Sequence, residues 1–160
     1  MGARVQIDPI VANYAHQRGF DATAITPRLY QGGAPPPGDY LARHGFHLLV
    51  LCARGFQPYA KDYPGVRIRR YGMLDDKLTP RSWKNASSAI DDVISALRRG
   101  ETVLVTCELG LNRSGLIVGG ALCRAEGMRG DDAIRRIRSR RGGDALNNES
   151  YADALRATWP

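Results

Sequence analysis

Cys107 and Arg113 are separated by five residues in the stretch Val105-Thr-Cys-Glu-Leu-Gly-Leu-Asn-Arg-Ser-Gly115. A thiolate can attack phosphorus, and a guanidinium can grip two phosphoryl oxygens at once through its planar fork. The short apolar run Val103, Leu104, Val105 delivers the cysteine to the end of a strand. The longer run Leu116 to Leu122, which starts just after the arginine, reads as a buried helix. A loop that opens a helix gathers backbone N–H groups around an anion, and the helix dipole reinforces the pull. The field that attracts phosphate also favours a thiolate. The arrangement looks built to attack phosphorus.

Each position then has a physical job. Cys107 would take the phosphoryl group as a thiophosphate. Gly110 lets the backbone turn tightly and approach the anion. Arg113 would hold the phosphoryl oxygens in substrate and transition state, and Ser114 can direct its hydroxyl back at the sulfur. Glu108, Leu109, Gly110, Leu111 and Asn112, with Arg113, are the residues expected to line the cradle.

The elements that must position this loop are legible from periodicity. Strands are expected at Ile25 to Gln31, His47 to Cys52, Val66 to Tyr71 and Thr102 to Thr106. Gly72 to Thr79 reads as a loop. Thr79-Pro80 is a helix start, and Trp83, Ala86, Ile90, Val93, Ile94 and Leu97 then share one face until Gly100. Helices are also expected at Asp39 to His44, Ser114 to Glu126, about Asp131 to Arg140, and Glu149 to Trp159. Alternating strands and helices imply an α/β fold, with a central, mostly parallel sheet of four to five strands flanked by helices. The 160 residues read as one domain, with residues 1–24 as an arm packed on it.

Bulk composition narrows the function classes. The formal charge is +7, carried almost wholly by Arg. That suits anionic partners such as phosphoproteins, nucleic acid or acidic membrane surfaces, and it equally suits a solvated Arg-rich surface. Five of these arginines (Arg135, Arg136, Arg138, Arg140 and Arg141) cluster on one short helix, expected to be wet on its charged side. No window is apolar enough to span a bilayer, and Met1 to Phe20 lacks a signal-peptide pattern. The three cysteines (Cys52, Cys107, Cys123) have no framework spacing, which favours a reducing, cytoplasmic setting. No Cys/His cluster has metal-site spacing, so neither metal nor cofactor is expected.

Cys107-x5-Arg113-Ser114 between a strand and a helix resembles the signature of the cysteine-dependent protein tyrosine and dual-specificity phosphatases. Arg28-Leu-Tyr-Gln-Gly-Gly-Ala-Pro35 and Leu48-Leu-Val-Leu-Cys-Ala-Arg54 are similar to segments of the compact dual-specificity branch. The resemblance implies hydrolysis of phosphotyrosine, with phosphoserine and phosphothreonine as further substrates, through a cysteinyl-phosphate intermediate. Phosphorylated protein is the implied partner. It also implies a general acid on a separate loop about thirty residues before the cysteine. Asp75 lies 32 residues upstream and Asp76 lies 31 upstream. Tyr71-Gly-Met-Leu-Asp75 favours Asp75, although Leu74-Asp-Asp76 satisfies the same rule.

The chain departs from the family at Thr106, where relatives carry His, which implies a weaker or differently tuned enzyme. Some relatives pair a second thiol on a strand comparable to that of Cys52 with the catalytic one upon oxidation, so a Cys52–Cys107 disulfide is a corollary. Leu146-Asn-Asn148 resembles a packing and capping segment, which gives Asn147 and Asn148 structural roles. Leu111-Asn-Arg-Ser-Gly115 also matches RNA 5′-triphosphatases of the same superfamily, which makes RNA the alternative partner. A third reading, suggested by Thr106, is a domain that binds phosphorylated partners without turnover.

Overall fold

A computed structural model describes residues 20–55 and 58–160. The α/β architecture expected from the sequence is present, with a five-stranded sheet in the order β1-β2-β5-β3-β4. These strands are β1 (Thr23–Ala24), β2 (Leu29–Gly32), β3 (Leu48–Ala53), β4 (Arg67–Met73) and β5 (Val103–Thr106). β1 runs antiparallel to β2, and every other pairing is parallel. Two strand expectations need correcting. The first long strand starts at Leu29, not Ile25, because Ile25 and Thr26 turn back with their N–H groups on the Leu29 carbonyl (2.9 and 3.1 Å). Thr23 and Ala24, assigned to the arm, form the edge strand β1. Residues 1–19 of the expected arm lie outside the described residues.

Side chains alternate across the central strands and build a core on each face. Leu48, Val50, Cys52, Val103, Val105 and Cys107 belong to the larger core, with the four long helices over them. These are α2 (Pro80–Arg98), α3 (Arg113–Glu126), α4 (Gly130–Arg141) and α5 (Glu149–Thr158). Leu49, Leu51 and Leu104 face the other way, under Phe20, Ala22, Phe46, Tyr63 and Leu41 of the short helix α1 (Tyr40–Arg43). α2 starts as its sequence dictates: Thr79 Oγ1 accepts from the Ser82 N–H at 3.1 Å, and Pro80 occupies the first turn. β5 lies at the centre of the sheet, so whatever follows its last residue opens onto the middle of the strand ends. Among the described residues, no helix is long and apolar enough to cross a membrane.

Candidate active site

Cys107 follows β5 directly, and its N–H donates to the Gly32 carbonyl at the end of β2 (3.4 Å). Its side chain is only 2% exposed, at the floor of the loop. Ser114, in the first turn of α3, places Oγ 3.3 Å from Cys107 Sγ. Gln31 Nε2 donates to that same Ser114 oxygen at 3.2 Å. As a thiol, Cys107 donates to this Ser114 oxygen; as a thiolate it would accept the serine hydroxyl hydrogen, because the Gln31 amide occupies only a lone pair. The first turn of a helix also turns its positive dipole end toward that atom.

The backbone between Cys107 and Arg113 is shaped from outside. Four successive carbonyls accept hydrogen bonds: Glu108 from Ala34 N–H (3.2 Å), Leu109 from Arg141 Nη2 (3.1 Å), Gly110 from Gln31 Nε2 (3.0 Å) and Arg141 Nε (2.8 Å), and Leu111 from Leu146 N–H (3.1 Å). A trans peptide sets its N–H opposite its carbonyl. Pinning these carbonyls outward therefore turns the N–H groups of Leu109, Gly110, Leu111 and Asn112 to the opposite face of the loop. Gly110 has φ 70°, and a Cβ there would lie 2.3 Å from the Gly32 carbonyl carbon and 2.4 Å from Arg141 Nη2. Only glycine fits.

Arg113 is the first residue of α3 and is 8% exposed. Its Nη1 donates to the Met73 carbonyl at the end of β4 (3.1 Å), and its Nη2 lies 3.7 Å from Glu108 Oε2. Its buried Nε has no hydrogen-bond partner among the described residues. A buried guanidinium donor with nothing to bond is costly unless it serves an incoming acceptor.

Of the two candidate acids, Asp75 is the one directed at the loop. Asp75 Oδ2 accepts from Asn112 Nδ2 and its Oδ1 from Asn148 Nδ2, each at 3.0 Å. Asp76 instead accepts from the neighbouring Lys77 N–H at 2.7 Å. Tyr151 Oη donates to the Leu74 carbonyl (2.6 Å), and its phenol is pushed up to about 12 by burial first and by the Asp75 charge second. The structure thus brings Cys107, Ser114, Arg113, Asn112 and Asp75 around one loop.

Thr106 Oγ1 donates to the Val50 carbonyl of β3 (3.2 Å), so this side chain ties two strands together rather than facing the loop. Cys52 and Cys107 line one small cavity with Ala34, Pro35, Ala53 and Pro58. Burial pushes the Cys52 thiol well up, the nearby Cys107 adds to it, and Arg113 opposes.

Four contributors escaped sequence reasoning. Arg141, grouped with a wet cationic helix face, is 2% exposed and carries the loop from behind. Arg138 also turns inward, to the carbonyls of Ala145 and Leu146 (both 3.0 Å), while Arg135 and Arg136 pair with Asp132 and Glu126. Gln31 and Asp21 are the others. Neither carries a mark in the sequence: Gln31 ends a stretch that already holds Thr26 and Arg28, and Asp21 sits in the expected arm.

Residues 29–158 match the family model described as the dual specificity phosphatase catalytic domain. The chain resembles the crystal structure of human DUSP28 with a TM-score of 0.72 at 24% identity, over 85% of this chain and 90% of that one. It resembles a mouse putative dual specificity phosphatase complexed with zinc tungstate (TM-score 0.71, 23% identity), over 99% and 93% of the two chains. A human tyrosine phosphatase-like serine/threonine/tyrosine-interacting protein is similar at TM-score 0.72 and 18% identity, over 86% and 94%.

Proposed function

We propose that this chain, which belongs to the dual specificity phosphatase catalytic domain family, hydrolyses phosphotyrosine in proteins, with phosphoserine and phosphothreonine also within its reach. The observation that carries this reading is the pairing of a floor-level thiol with outward-pinned carbonyls on one strand–loop–helix unit. The N–H groups turned the other way, with the Arg113 fork, form a cradle for the three non-bridging phosphoryl oxygens.

Two steps follow. In the first, the Cys107 thiolate attacks phosphorus, an S–P bond forms, and the ester P–O bond breaks. The departing oxygen takes a proton from Asp75. In the second, water attacks the cysteinyl phosphate, Asp75 accepts its proton, and the S–P bond breaks to release phosphate. The Ser114 hydroxyl, 3.3 Å from Sγ, donates to the sulfur as it leaves. Arg113 follows the charge as it spreads over the equatorial oxygens. No step calls for a metal.

Turnover of p-nitrophenyl phosphate by the full chain, lost in Cys107→Ser, is the expected result. Retained phosphate binding without turnover would instead establish a phospho-binding domain. Release of phosphate from triphosphate-ended RNA in preference to a phosphotyrosine peptide would move the substrate class to RNA.

A further inference from the structure

Both helices that frame the site, α3 and α5, have asparagine at the N-cap, Asn112 and Asn148, and neither side chain caps its own helix. Asparagine is among the best caps because its oxygen accepts from a free N–H of the first turn. Here both side chains are diverted. Their amide groups converge on the two oxygens of Asp75, each at 3.0 Å, and Asn148 Nδ2 also donates to the Asp76 carbonyl at 3.0 Å.

The two asparagines are also tied to each other. The Asn148 N–H donates to Asn112 Oδ1 (2.9 Å), and Asn112 Nδ2 donates to Asn147 Oδ1 (2.8 Å). Backbone on either side of the acid is fixed by the same segment. Tyr151 Oη donates to the Leu74 carbonyl (2.6 Å), and Ser150 Oγ accepts from the Leu78 N–H (2.9 Å). At its other end the segment grips the cradle through the Leu146 N–H on the Leu111 carbonyl (3.1 Å). Leu146 does so at φ 57°, a conformation that leucine rarely adopts and that its surroundings must enforce. Arg138 Nη2 holds its carbonyl at 3.0 Å, and its side chain lies where a Gly115 Cβ would meet it at 2.9 Å.

We propose that Asn148 and Asn112 are positioning residues for Asp75, which clamp its carboxyl group at a fixed height over the phosphate cradle. The proposal rests on the reading of Asp75 as proton donor and goes beyond it. Each amide occupies one lone pair of one carboxyl oxygen and leaves the other for the proton that Asp75 gives and takes back. Neutral donors do this without adding charge that would compete with Arg113 for the phosphate. Because Asn112 belongs to the cradle itself, the acid is registered directly against the loop that holds phosphorus. Such registration matters when misplacing a reacting group by about 1 Å costs about 100-fold in rate.

Leaving-group dependence separates positioning from general damage. Phenyl phosphate needs a proton at its departing oxygen, whereas 2,4-dinitrophenyl phosphate leaves as a stable anion without one. In the full chain, Asn148→Ala is expected to lower kcat/KM for phenyl phosphate by about 10- to 100-fold. For the dinitrophenyl ester the expected change is less than about threefold, with the binding of inorganic phosphate unaltered. Asn148→Ser, which places a good capping residue at the N-cap but is too short to reach Asp75, shows the same selective loss in a protein that folds. An equal loss on both esters, or none on phenyl phosphate, overturns the proposal. Asp75→Asn is run beside them. If Asp75→Asn is selective and both Asn148 variants are not, only the positioning role falls. If Asp75→Asn spares phenyl phosphate, the assignment of the proton donor falls, and the clamp with it.

Discussion

Arg141 and Asp21, 120 residues apart in the chain, are joined by two contacts of 2.6 Å directly behind the loop from Cys107 to Arg113. The arginine is buried and the aspartate only 26% exposed. The same guanidinium donates to the carbonyls of Gly110 (2.8 Å), Leu109 (3.1 Å) and Gln31 (3.3 Å) and to Thr23 Oγ1 (2.9 Å). Asp21 in turn accepts from the Gly33 N–H at 2.8 Å. One fork-shaped cation therefore sets the direction of two peptide planes of the loop while its charge is balanced from the edge of the sheet.

Truncating one partner of such a pair strands the other charge in the interior, which costs about 3–5 kcal/mol. Asp21→Ala is expected to lower Tm by roughly 10 °C, since a chain of this size loses about 2–4 °C per kcal/mol. Arg141→Lys keeps the charge but loses the planar fork, so the carbonyls of Leu109 and Gly110 lose their anchor. Its expected signature is weaker binding of inorganic phosphate, by about tenfold, with Cys107 still alkylated by iodoacetate. Unchanged phosphate affinity would show that the loop holds its shape without Arg141.

In the proposed reaction, Ser114 acts on the second chemical step. Its oxygen lies 3.3 Å from the sulfur and receives the Gln31 amide at 3.2 Å, which leaves its proton for the departing thiolate. Ser114→Ala is expected to slow breakdown of the cysteinyl phosphate by about 10- to 100-fold while phosphoryl transfer to Cys107 stays fast. Rapid-mixing assays with p-nitrophenyl phosphate would then show a burst of nitrophenol followed by a slow steady state. A uniform fall with no burst would mean that the serine serves the first step instead.

What the sequence disclosed, and what it withheld, follows from the range of the contacts. The strand, loop and helix around Cys107 are contiguous, so residue types and spacing suffice to read them. α2 is equally local: its cap, its Pro80 and its apolar face all lie within one periodic run. β1 is only two residues long and takes its identity from pairing Thr23 with Gln31 and Ala24 with Tyr30, which periodicity cannot register. Gln31 acts on Gly110, 79 residues away, and Asn148 on Asp75, 73 away. An arginine in an arginine-rich helix carries no mark of turning inward; Arg138 and Arg141 do so because the carbonyls they reach belong to loops brought there by the fold. Which of Asp75 and Asp76 turns its carboxylate toward Asn112 and Asn148 is likewise a matter of side-chain direction, which adjacent identical residues cannot express in sequence.

Oxidation should couple the two thiols that share a cavity. Cys52 and Cys107 both line the pocket at the floor of the loop, and burial keeps Cys52 protonated and unreactive on its own. Mild peroxide would convert Cys107 to a sulfenic acid, which condenses with the Cys52 thiol to a disulfide and water. Intact-mass analysis is expected to show a loss of two hydrogens, reversed by dithiothreitol with recovery of activity. Cys52→Ser should instead accumulate sulfinic and sulfonic Cys107, and appearance of those species in the unaltered chain would exclude the disulfide.

Alkaline pH should destabilise the fold through four buried or bonded acids. Burial pushes the Cys52 thiol well above its ordinary 9.0 and raises Cys123 to about 11. Tyr71 is raised from 10.0 to about 12 by burial first and then by its hydrogen bond to Asp92, and Tyr151 to about 12 by burial and Asp75. Each holds its proton more tightly folded than unfolded, so its contribution is complete below about pH 9 and is lost as pH rises toward 11 or 12. Tm is expected to fall by roughly 5 °C or more between pH 9 and pH 11. Tyr71→Phe should make the upper part of that fall shallower, and a flat Tm up to pH 11 would contradict the sign of all four shifts.

Glu108 is the one acid among the loop residues Cys107 to Arg113, next to Cys107 and with Oε2 3.7 Å from Arg113 Nη2. A phosphate dianion entering the loop must share Arg113 with this carboxylate and meets its repulsion. The glutamate is 54% exposed, so water screens the contact and its worth is about 1 kcal/mol or less. That magnitude predicts a modest effect on binding rather than on chemistry. Glu108→Gln is expected to lower KM for aryl phosphates by about two- to fivefold with kcat nearly unchanged, and the gain should shrink as salt is raised. The same charge makes a basic residue beside the phosphorylated side chain favourable and an acidic one unfavourable. Phosphotyrosine peptides with Arg or Asp at the adjacent position should therefore differ in kcat/KM in the unaltered chain and converge in Glu108→Gln. A preference that survives the substitution would place its source elsewhere on the surface.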